Sequence, residues 1–314
     1  MRITGFFDLF ILTLAILFSA SSYSQTLRVG TTLWPGYEPL YLAQEINAYK
    51  QDIRMIHYPS TSEVLRAFKN RTLEAAALTL DEVVSLVSSG LKVEVILVLD
   101  ISEGADVIMA HPGIKDMQGL IGAKVAVEST AVGAYTLSRA LEVHKIDLNK
   151  ISLVNVEFSR HKDAFENKIA DAIVTFEPVR TQLLNAGAIE IFSSKELPGE
   201  IVDVLVVHAD AIHSHHDEIL DMSQGWFKAL EQLHKNPISS YEFIASRMKI
   251  SKQEAKESYF GLTLPNLAEN KRLLLGKQPP LSQTFDRLTK HMERSGLIRP
   301  NTTDKVTINA TFLP

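Results

Sequence analysis

The sequence predicts an α/β protein made of two lobes, each with a central sheet flanked by helices. Short apolar runs rich in Val, Ile and Leu alternate with helical periodicity between residues 27 and 208, the pattern of repeated βαβ units. A polar, glycine-containing stretch at 100–106 interrupts this alternation, and a second βαβ series follows it. The interruption and the restart together indicate two lobes.

The first 24 residues are expected to be a signal peptide and not part of the fold. The unbroken apolar run Leu9–Phe18 follows Arg2, and the small residues of Ser22–Ser24 precede a cleavage expected before Gln25. This run is shorter than the roughly 20 residues that a membrane-spanning helix needs. The mature chain is therefore expected in the periplasm, without stable membrane insertion.

Composition excludes several classes of function. The sequence has no cysteine, which rules out disulfides, cysteine-ligated metals, a thiol nucleophile and a lipid-anchored cysteine. The net charge of −5 argues against nucleic acid, which selects clustered basic residues. No G-x-S-x-G, Walker or dinucleotide motif is present, and the cluster His213, His215 and His216 is not assigned as a metal site. No cofactor is predicted.

The first lobe begins with alternating strands and helices. Ser60 and Glu63 have the spacing of a capping box, which starts a helix there. The predicted strands are Leu27–Thr31, Ile53–Tyr58, Leu73–Leu78 and Val93–Leu99, and helices are predicted over Glu38–Tyr49, after Ser60, and over Leu80–Ser89.

The second lobe repeats the alternation, and the chain then returns to the first. Strands are predicted at Val107–Ala110, Lys124–Glu128, Ile151–Val156, Asp171–Phe176 and Ile189–Phe192, with helices opening at Ser129–Tyr135, His161 and Pro178. The strand Asp203–His208 is expected to cross back, and helices follow it. Lobe I is thus assigned to 25–105 plus 208–314 and lobe II to 106–207. Two crossings make a two-strand hinge, the arrangement of clam-like closure on a ligand.

The turn Trp34-Pro35-Gly36-Tyr37-Glu38 is the first candidate for the ligand site. It joins a strand to a helix, and ligands of open α/β sheets bind at the carboxyl ends of strands, beside helix N-termini. Two aromatics and a carboxylate there form a plausible ligand wall. From this stretch alone, aromatics that merely cap a sheet edge are an equal alternative.

Other strand ends carry similar polar clusters that would face the same crevice. Hydroxyls at helix starts are often plain caps, and Asp81 and Glu177 lie in first helical turns, where the dipole favours a carboxylate without function. Recurrence at several strand ends favours a site. The predicted ligand-binding residues are Trp34, Tyr37, Glu38, Ser60, Thr61, Thr79, Asp81, Asp106, Ser129, Thr130, Phe176 and Glu177.

The chemistry of this set indicates a nitrogenous ligand. Its carboxylates, at Glu38, Asp81, Asp106 and Glu177, would pair with positive or N–H groups, whereas an anion would need Arg forks or free helix N-termini. The aromatic side chains would stack on or enclose the ligand, and the hydroxyls would supply hydrogen bonds. An amine or a protonated nitrogen heterocycle suits such a cleft.

Six segments taken together resemble the ABC-transporter periplasmic substrate-binding proteins of the SsuA/THI5-like family, which binds nitrate, sulfonates, taurine or a thiamine-pyrimidine precursor. They are GTTLWPGYEPLYLA, PSTSEVLRAF, AAALTLDEV, KVAVESTAVGAYTL, ADAIVTFEPVRTQLL and LPGEIVDVLVV. The resemblance implies a type II periplasmic-binding-protein fold, a ligand held between the lobes, and an inner-membrane permease with its ATPase as partner. It also implies ligand contacts from the loops at 34–37, 60–62, 79–81, 129–130 and 176–178.

The chain departs from this family in two respects. Its cleft is predicted to be acidic, unlike the cationic or N–H-rich cradles of oxyanion binders. It also lacks the cysteine-rich motif of the related fungal pyrimidine synthases, which argues against an enzyme. The predicted function is a monomeric solute receptor for ABC import, with a sensing subunit or an anion binder as alternatives. Trp34→Ala and Glu177→Gln are expected to weaken binding with the fold intact.

Overall fold

The computed structural model describes residues 26–300 and 304–314, so the predicted signal peptide lies outside the described residues. The strands within these ranges form two sheets. They are β1 Leu27–Thr31, β2 Ile53–His57, β3 Ala75–Thr79, β4 Val93–Ser102, β5 Asp106–Ala110, β6 Lys124–Val127, β7 Ser152–Asn155, β8 Ala172–Phe176, β9 Ile189–Ser193, β10 Val202–His208, β11 Leu262–Thr263 and β12 Thr307–Ile308.

The helices cover both faces of the sheets, and the longer ones follow β10. They are α1 Glu38–Glu45, α2 Thr61–Lys69, α3 Leu80–Ser88, α4 Val132–Val143, α5 His161–Glu166, α6 Val179–Asn185, α7 His216–Lys235, α8 Pro237–Met248, α9 Lys252–Glu257, α10 Leu267–Leu274 and α11 Pro280–Arg294. No helix in the described ranges is both long enough and apolar enough to cross a membrane.

The first sheet has the strand order β11-β4-β10-β3-β1-β2. Strand β1 pairs in parallel with β2 and β3, because helices α1 and α2 connect these strands. Strand β10 is antiparallel to both of its neighbours, β3 and β4. The whole of β3 and β10 is buried, as expected for strands covered on both faces.

The second sheet repeats this plan with the order β7-β6-β8-β5-β9. Strand β6 pairs in parallel with β7 and β8, and β5 is antiparallel to β8 and β9. The chain enters each sheet, after crossing from the other one, through a strand that is antiparallel to its neighbours. This strand is β5 in the second sheet and β10 in the first. Below, lobe I and lobe II denote the parts of the chain that carry the first and the second sheet.

Two crossing segments, 103–105 and 194–201, connect the lobes and lie side by side. The Ser102 and Ser194 hydroxyls are 2.9 Å apart, and the Gly104 N–H donates to Ser194 Oγ at 2.6 Å. Gly104 has a φ of 134°, which glycine adopts without strain. The two-strand hinge is confirmed, but the boundary at residue 208 is corrected. Strand β10 pairs with lobe I, because the chain has already crossed back before Val202.

The outer edge of β4 is covered along its length by the C-terminal part of the chain. Strand β11 pairs with its end at Ser102, and β12 pairs with its start at Glu94. Between them, Asn270 of α10 accepts from the Val98 N–H at 2.8 Å and donates to the Val98 carbonyl at 3.1 Å. The amide side chain thus substitutes for a neighbouring strand.

Candidate functional site

An aromatic cluster spans the cleft between the lobes. Trp34 follows β1, and the Tyr37 N–H donates to the Trp34 carbonyl at 3.0 Å, which closes a tight turn. The Trp34 ring lies edge-on to Phe176 of lobe II at 5.4 Å, and Phe176 stacks on Phe158 at 4.0 Å. Trp34 is only 4% exposed. The lobes are therefore closed on each other in this structure.

The turn holds two aspartates of the first sheet. Trp34 Nε1 donates to Asp100 Oδ2 at 2.9 Å, and the Tyr37 hydroxyl donates to Asp203. Asp100 and Asp203 are direct partners in the register of β4 and β10, which brings both carboxylates to one point. A Cβ at Gly36 would collide with the Asp100 carboxylate, so glycine is required for this close approach.

A small cavity lies between this turn and lobe II, and it is called the buried cavity below because all of its lining residues are buried. Its volume is about 20 Å³, which is room for about one water molecule. Among the described residues, those lining it include three carboxylates and no Lys, Arg or His. The lining residues are Thr32, Trp34, Tyr37, Thr61, Thr79, Glu82, Asp106, Val132, Phe176 and Asp203.

Three oxygen atoms of the lining have unsatisfied hydrogen-bonding capacity. Asp106 Oδ2, Thr32 Oγ1 and Thr79 Oγ1 are buried, and none of them has a hydrogen-bond partner among the described residues. A buried polar atom without a partner costs free energy. All three oxygens can accept hydrogen bonds, so N–H donors placed in the cavity would satisfy them.

Burial shifts the titration of the whole acidic cluster around the cavity. Desolvation raises the pKa of Asp100 and of Asp106 to about 7 and that of Asp81 to about 6. The pKa values of Glu82 and Asp203 lie well above their usual range, first through burial and second through the neighbouring carboxylates Asp81 and Asp100. A cation in the cavity would favour the ionised forms of these carboxyl groups and so lower their pKa values.

We expect Asp100→Asn to stabilise the ligand-free protein increasingly as pH rises from about 5 to about 8. The folded-state pKa of Asp100 is raised to about 7, so the native state holds a proton that the unfolded chain has lost, and stability falls with rising pH. The gain of the variant over the wild type should grow by about 3 kcal/mol across this window.

Urea denaturation of both proteins at several pH values measures this difference. Comparing variant with wild type cancels the contribution of groups that do not interact with Asp100, such as His161, whose pKa burial lowers to about 4. The pKa of Asp203 falls when the charge of Asp100 is removed, which adds to the difference in the same direction. A difference that does not change with pH would contradict the assignment of a raised Asp100 pKa.

Three of the predicted residues, Asp81, Ser129 and Thr130, line a different space. It is an open groove of about 470 Å³ next to the buried cavity, with Lys69 and Arg299 also on its walls. Asp81 is buried, whereas Ser129 and Thr130 are exposed. Trp34, Tyr37, Thr61, Thr79, Asp106 and Phe176 line the buried cavity as one group.

Glu38, Glu177 and Ser60 have internal partners and line neither space. Arg247 of α8 donates to Glu38 at 2.7 Å and covers the Tyr41 ring at 3.3 Å, so an internal ion pair replaces the expected pairing with a ligand. Glu177 accepts from Arg180 at 3.1 Å and from the Thr181 N–H at 3.1 Å. Ser60 accepts from the Glu63 N–H at 3.3 Å, as a helix cap does.

Glu82 is the functional candidate that the sequence reasoning missed. Its Oε2 accepts from the Thr79 N–H at 3.0 Å, so in the sequence it has the spacing of an ordinary capping box. Its Oε1, however, accepts from the Val132 N–H at 3.2 Å, across the cleft at the first residue of α4. The adjacent acidic pair Asp81 and Glu82 at one strand end was the signal that could have indicated it.

A second carboxylate crosses the cleft in the opposite direction. Glu128 of lobe II accepts from the Ser62 N–H of α2 at 2.9 Å and from the Phe158 N–H at 3.2 Å. Helix N-termini are the natural binding sites for anions. In this protein the carboxylates of Glu82 and Glu128 occupy the N-termini of α4 and α2. Within the ranges 26–300 and 304–314, no cluster of side chains has the geometry of a metal site.

Comparison with solved structures confirms the fold. The alkanesulfonate-binding protein SsuA from Xanthomonas axonopodis pv. citri, bound to MOPS, aligns with a TM-score of 0.78 at 12% identity, over 90% of this chain and 98% of that one. The periplasmic aliphatic sulphonate-binding protein SsuA from Escherichia coli aligns with a TM-score of 0.72 at 16% identity, over 89% and 95%. The periplasmic nitrate-binding protein NrtA from Synechocystis PCC 6803 aligns with a TM-score of 0.72 at 12% identity, over 89% and 84%.

Sequence comparison gives the family. No curated protein matches the chain in sequence. The sequence model of the NMT1-like family matches residues 20–242, and the structural neighbours have the periplasmic-binding-protein fold that the sequence motifs predicted. Because the match spans more than half of the 314 residues, the chain belongs to the NMT1-like family.

Proposed function

We propose that this protein is the solute-binding receptor of an ABC importer and that it captures a small cationic nitrogen compound between its lobes. The observation that carries this proposal is Asp106 Oδ2, a buried carboxylate oxygen that lines the cavity without a hydrogen-bond partner among the described residues. Protonated nitrogen supplies both the charge and the N–H donor that this oxygen lacks.

Other lining residues support the same ligand chemistry. Glu82 and Asp203 add negative charge to the cavity, and Thr32 Oγ1 and Thr79 Oγ1 offer further acceptors. The faces of Trp34 and Phe176 attract cations through their ring quadrupoles. At about 20 Å³ the cavity is too small for an organic ligand, so entry requires the lobes to separate and a flat ligand would lie between the two aromatic rings.

An oxyanion is the alternative that the structural neighbours raise, since their names state that they bind alkanesulfonates or nitrate. The N-termini of α4 and α2, which could bind an oxyanion, already donate hydrogen bonds to the carboxylates of Glu82 and Glu128. An anion in the buried cavity would also face Asp106 and Asp203 at close range, which is unfavourable in a low-dielectric site. These features favour a cation over a sulfonate or nitrate.

The partners follow from the import role. Binding components of this fold include a ligand-binding component of an ABC-type import system from Staphylococcus aureus. We infer that this chain is exported with the aid of residues 1–24, acts in the periplasm as a monomer, and delivers its ligand to an inner-membrane permease with its ATPase. Its action is binding and release, without a catalytic step.

Mass spectrometry of small molecules released from natively purified protein tests the proposal. We expect a compound with at least one nitrogen that is protonated at neutral pH. Isothermal titration with that compound and with a neutral isostere should show clear preference for the cation, of roughly 30-fold or more, because the neutral form lacks a charge-assisted hydrogen bond. Release of a sulfonate or of nitrate would overturn the charge assignment.

A further inference from the structure

The three oxygen atoms of the buried cavity that lack hydrogen-bond partners restrict what the cavity can hold. They are Asp106 Oδ2, Thr32 Oγ1 and Thr79 Oγ1. The three residues are almost completely buried, with 4%, 4% and 6% exposure respectively. A buried polar atom without a partner costs free energy, so a bound group that donates to all three oxygens would recover that cost.

Several donors in the cavity wall are already used by other acceptors. Trp34 Nε1 and the Tyr37 hydroxyl donate to aspartates of the first sheet, and the Val132 N–H donates to Glu82 at 3.2 Å. None of these donors can turn to the three oxygens without losing a hydrogen bond to a carboxylate. The occupant of the cavity therefore has to bring donors of its own.

The volume of the cavity and the number of acceptors together select the group that fits. At about 20 Å³, the cavity has room for about one non-hydrogen atom with its hydrogens. A water molecule has two hydrogens and cannot donate to three acceptors, whereas an ammonium nitrogen with three or four N–H can. Its positive charge also matches the carboxylates of Glu82 and Asp203 in the same wall.

Two other kinds of cation fit these observations less well. A quaternary ammonium suits the aromatic faces of Trp34 and Phe176, but it has no N–H, and its four carbon substituents exceed a cavity of about 20 Å³. A potassium ion is close to ammonium in size but also has no N–H, and within residues 26–300 and 304–314 no cluster of His, Asp or Glu side chains has the geometry of a metal site. A cation with several N–H is therefore favoured over one that supplies charge alone.

We propose that the buried cavity binds an ammonium group with at least three N–H, which donates to Asp106 Oδ2, Thr32 Oγ1 and Thr79 Oγ1. This inference rests on the proposed function and narrows its ligand to two sources, the ammonium ion or a primary amine. The ammonium ion fits the closed form as it stands. In a primary amine only the ammonium head occupies the cavity, so the cavity volume limits that head and not the carbon part that extends from it.

Titrations followed by nuclear magnetic resonance can measure this selectivity, with the backbone amide signals of Thr32 and Thr79 as reporters. The probes are the chloride salts of ammonium, methylammonium, dimethylammonium and potassium, added to the natively purified protein at an ionic strength held constant with sodium chloride. Ligands with so few non-hydrogen atoms gain little binding free energy in total, so we expect dissociation constants in the millimolar range.

We expect ammonium or methylammonium to bind roughly tenfold or more tightly than dimethylammonium, whose two N–H leave one of the three oxygens without a donor. Potassium, which has no N–H, should bind at least as weakly as dimethylammonium. Tightest binding of ammonium would assign the cavity to the free ion. Equal or tighter binding of methylammonium would assign it to the head of a primary amine.

Thr32→Val removes one of the three acceptors and keeps the shape of the side chain. Because the Thr32 hydroxyl has no partner among the described residues, we expect the variant to remain folded. Its affinity for the tighter-binding ammonium probe should fall roughly tenfold, whereas dimethylammonium should bind as it does to the wild type, since two acceptors suffice for two N–H.

Thr136→Val is the matched control. Thr136 is 1% exposed, and its Oγ1 also lacks a partner among the described residues, but it does not line the buried cavity. We expect this variant to bind every probe as the wild type does. Equal losses of affinity in Thr32→Val and Thr136→Val would contradict the assignment of Thr32 as a ligand acceptor and overturn the inference.

The wild-type titrations decide the inference even if a variant does not fold. It is overturned if dimethylammonium or potassium binds as tightly as the better of the other two probes, or if no probe binds. The compound released from native protein separates this failure from that of the proposed function. A cation whose nitrogen has fewer than three N–H would overturn the inference alone, whereas a sulfonate or nitrate would overturn the proposed function itself.

Discussion

Asp106→Asn is expected to weaken cation binding by roughly 30-fold or more without destabilising the ligand-free protein. The substitution removes the charge that would pair with the ligand, a loss of about 2–5 kcal/mol when a buried charge pair is broken. The same substitution should not destabilise the ligand-free fold, because it removes a buried negative charge: Asp106 is 4% exposed, and burial raises the pKa of its carboxyl to about 7. Calorimetry measures the affinity, and urea denaturation measures the free energy of unfolding.

Glu38→Gln is the matched control for this prediction. Glu38 is also a buried acid, at 1% exposure, but it pairs with Arg247 and lies outside the cavity. Removing its charge leaves Arg247 without its partner, so we expect lower stability and unchanged affinity. Equal affinity losses in both variants would show that binding responds to total negative charge and not to the cavity.

Trp34→Ala is expected to lower the free energy of unfolding by about 3–5 kcal/mol, the usual cost of truncating a buried Trp or Phe side chain. The ring packs against Phe176 across the cleft, and its Nε1 is the donor to Asp100. From the sequence we expected an intact fold in this variant, whereas the structure leads us to expect a less stable one, because Trp34 belongs to the core as well as to the cavity wall.

Trp34→Phe separates the contribution of Trp34 to stability from its contribution to ligand binding. It keeps an aromatic face toward the ligand but removes the N–H donor to Asp100, so we expect a stability loss of about 1–3 kcal/mol and retention of most of the affinity. Chemical denaturation and calorimetry on both variants measure the two effects. If Trp34→Ala were as stable as the wild type, the ring would not contribute to the core and the packing of the cleft would need another account.

The architecture was predictable because it depends on local patterns. Periodicity located most strands and helices, and the polar stretch around Gly104 marked the first crossing between lobes. Strand β10 was recognised as returning to lobe I, although the lobe boundary was placed after it. The second crossing at 194–201 is also polar and contains Pro198 and Gly199, but a stretch of this kind equally fits an ordinary loop within lobe II, so it did not mark where the chain leaves that lobe.

Residues of the candidate site could be predicted from the sequence only where their position at the end of a strand places them at the cleft. Trp34, Tyr37 and Phe176 follow strands or turns that end at the cleft, and they lie in the cavity wall. Glu38 has the same position in the sequence, but its partner Arg247 is 209 residues away. Ion pairs between such distant residues leave no local pattern, so a sequence cannot separate a paired acid from one that is available to a ligand.

The covered edge of β4 has a consequence for any shortened form of this protein. The family match ends at residue 242, whereas β11, Asn270 and β12, which satisfy the β4 edge, all lie beyond it. A fragment trimmed to the matched region would expose a long apolar strand with free N–H and C=O groups. Such edges recruit strands from other chains, so the C-terminal part of the chain is what keeps the first sheet from self-association.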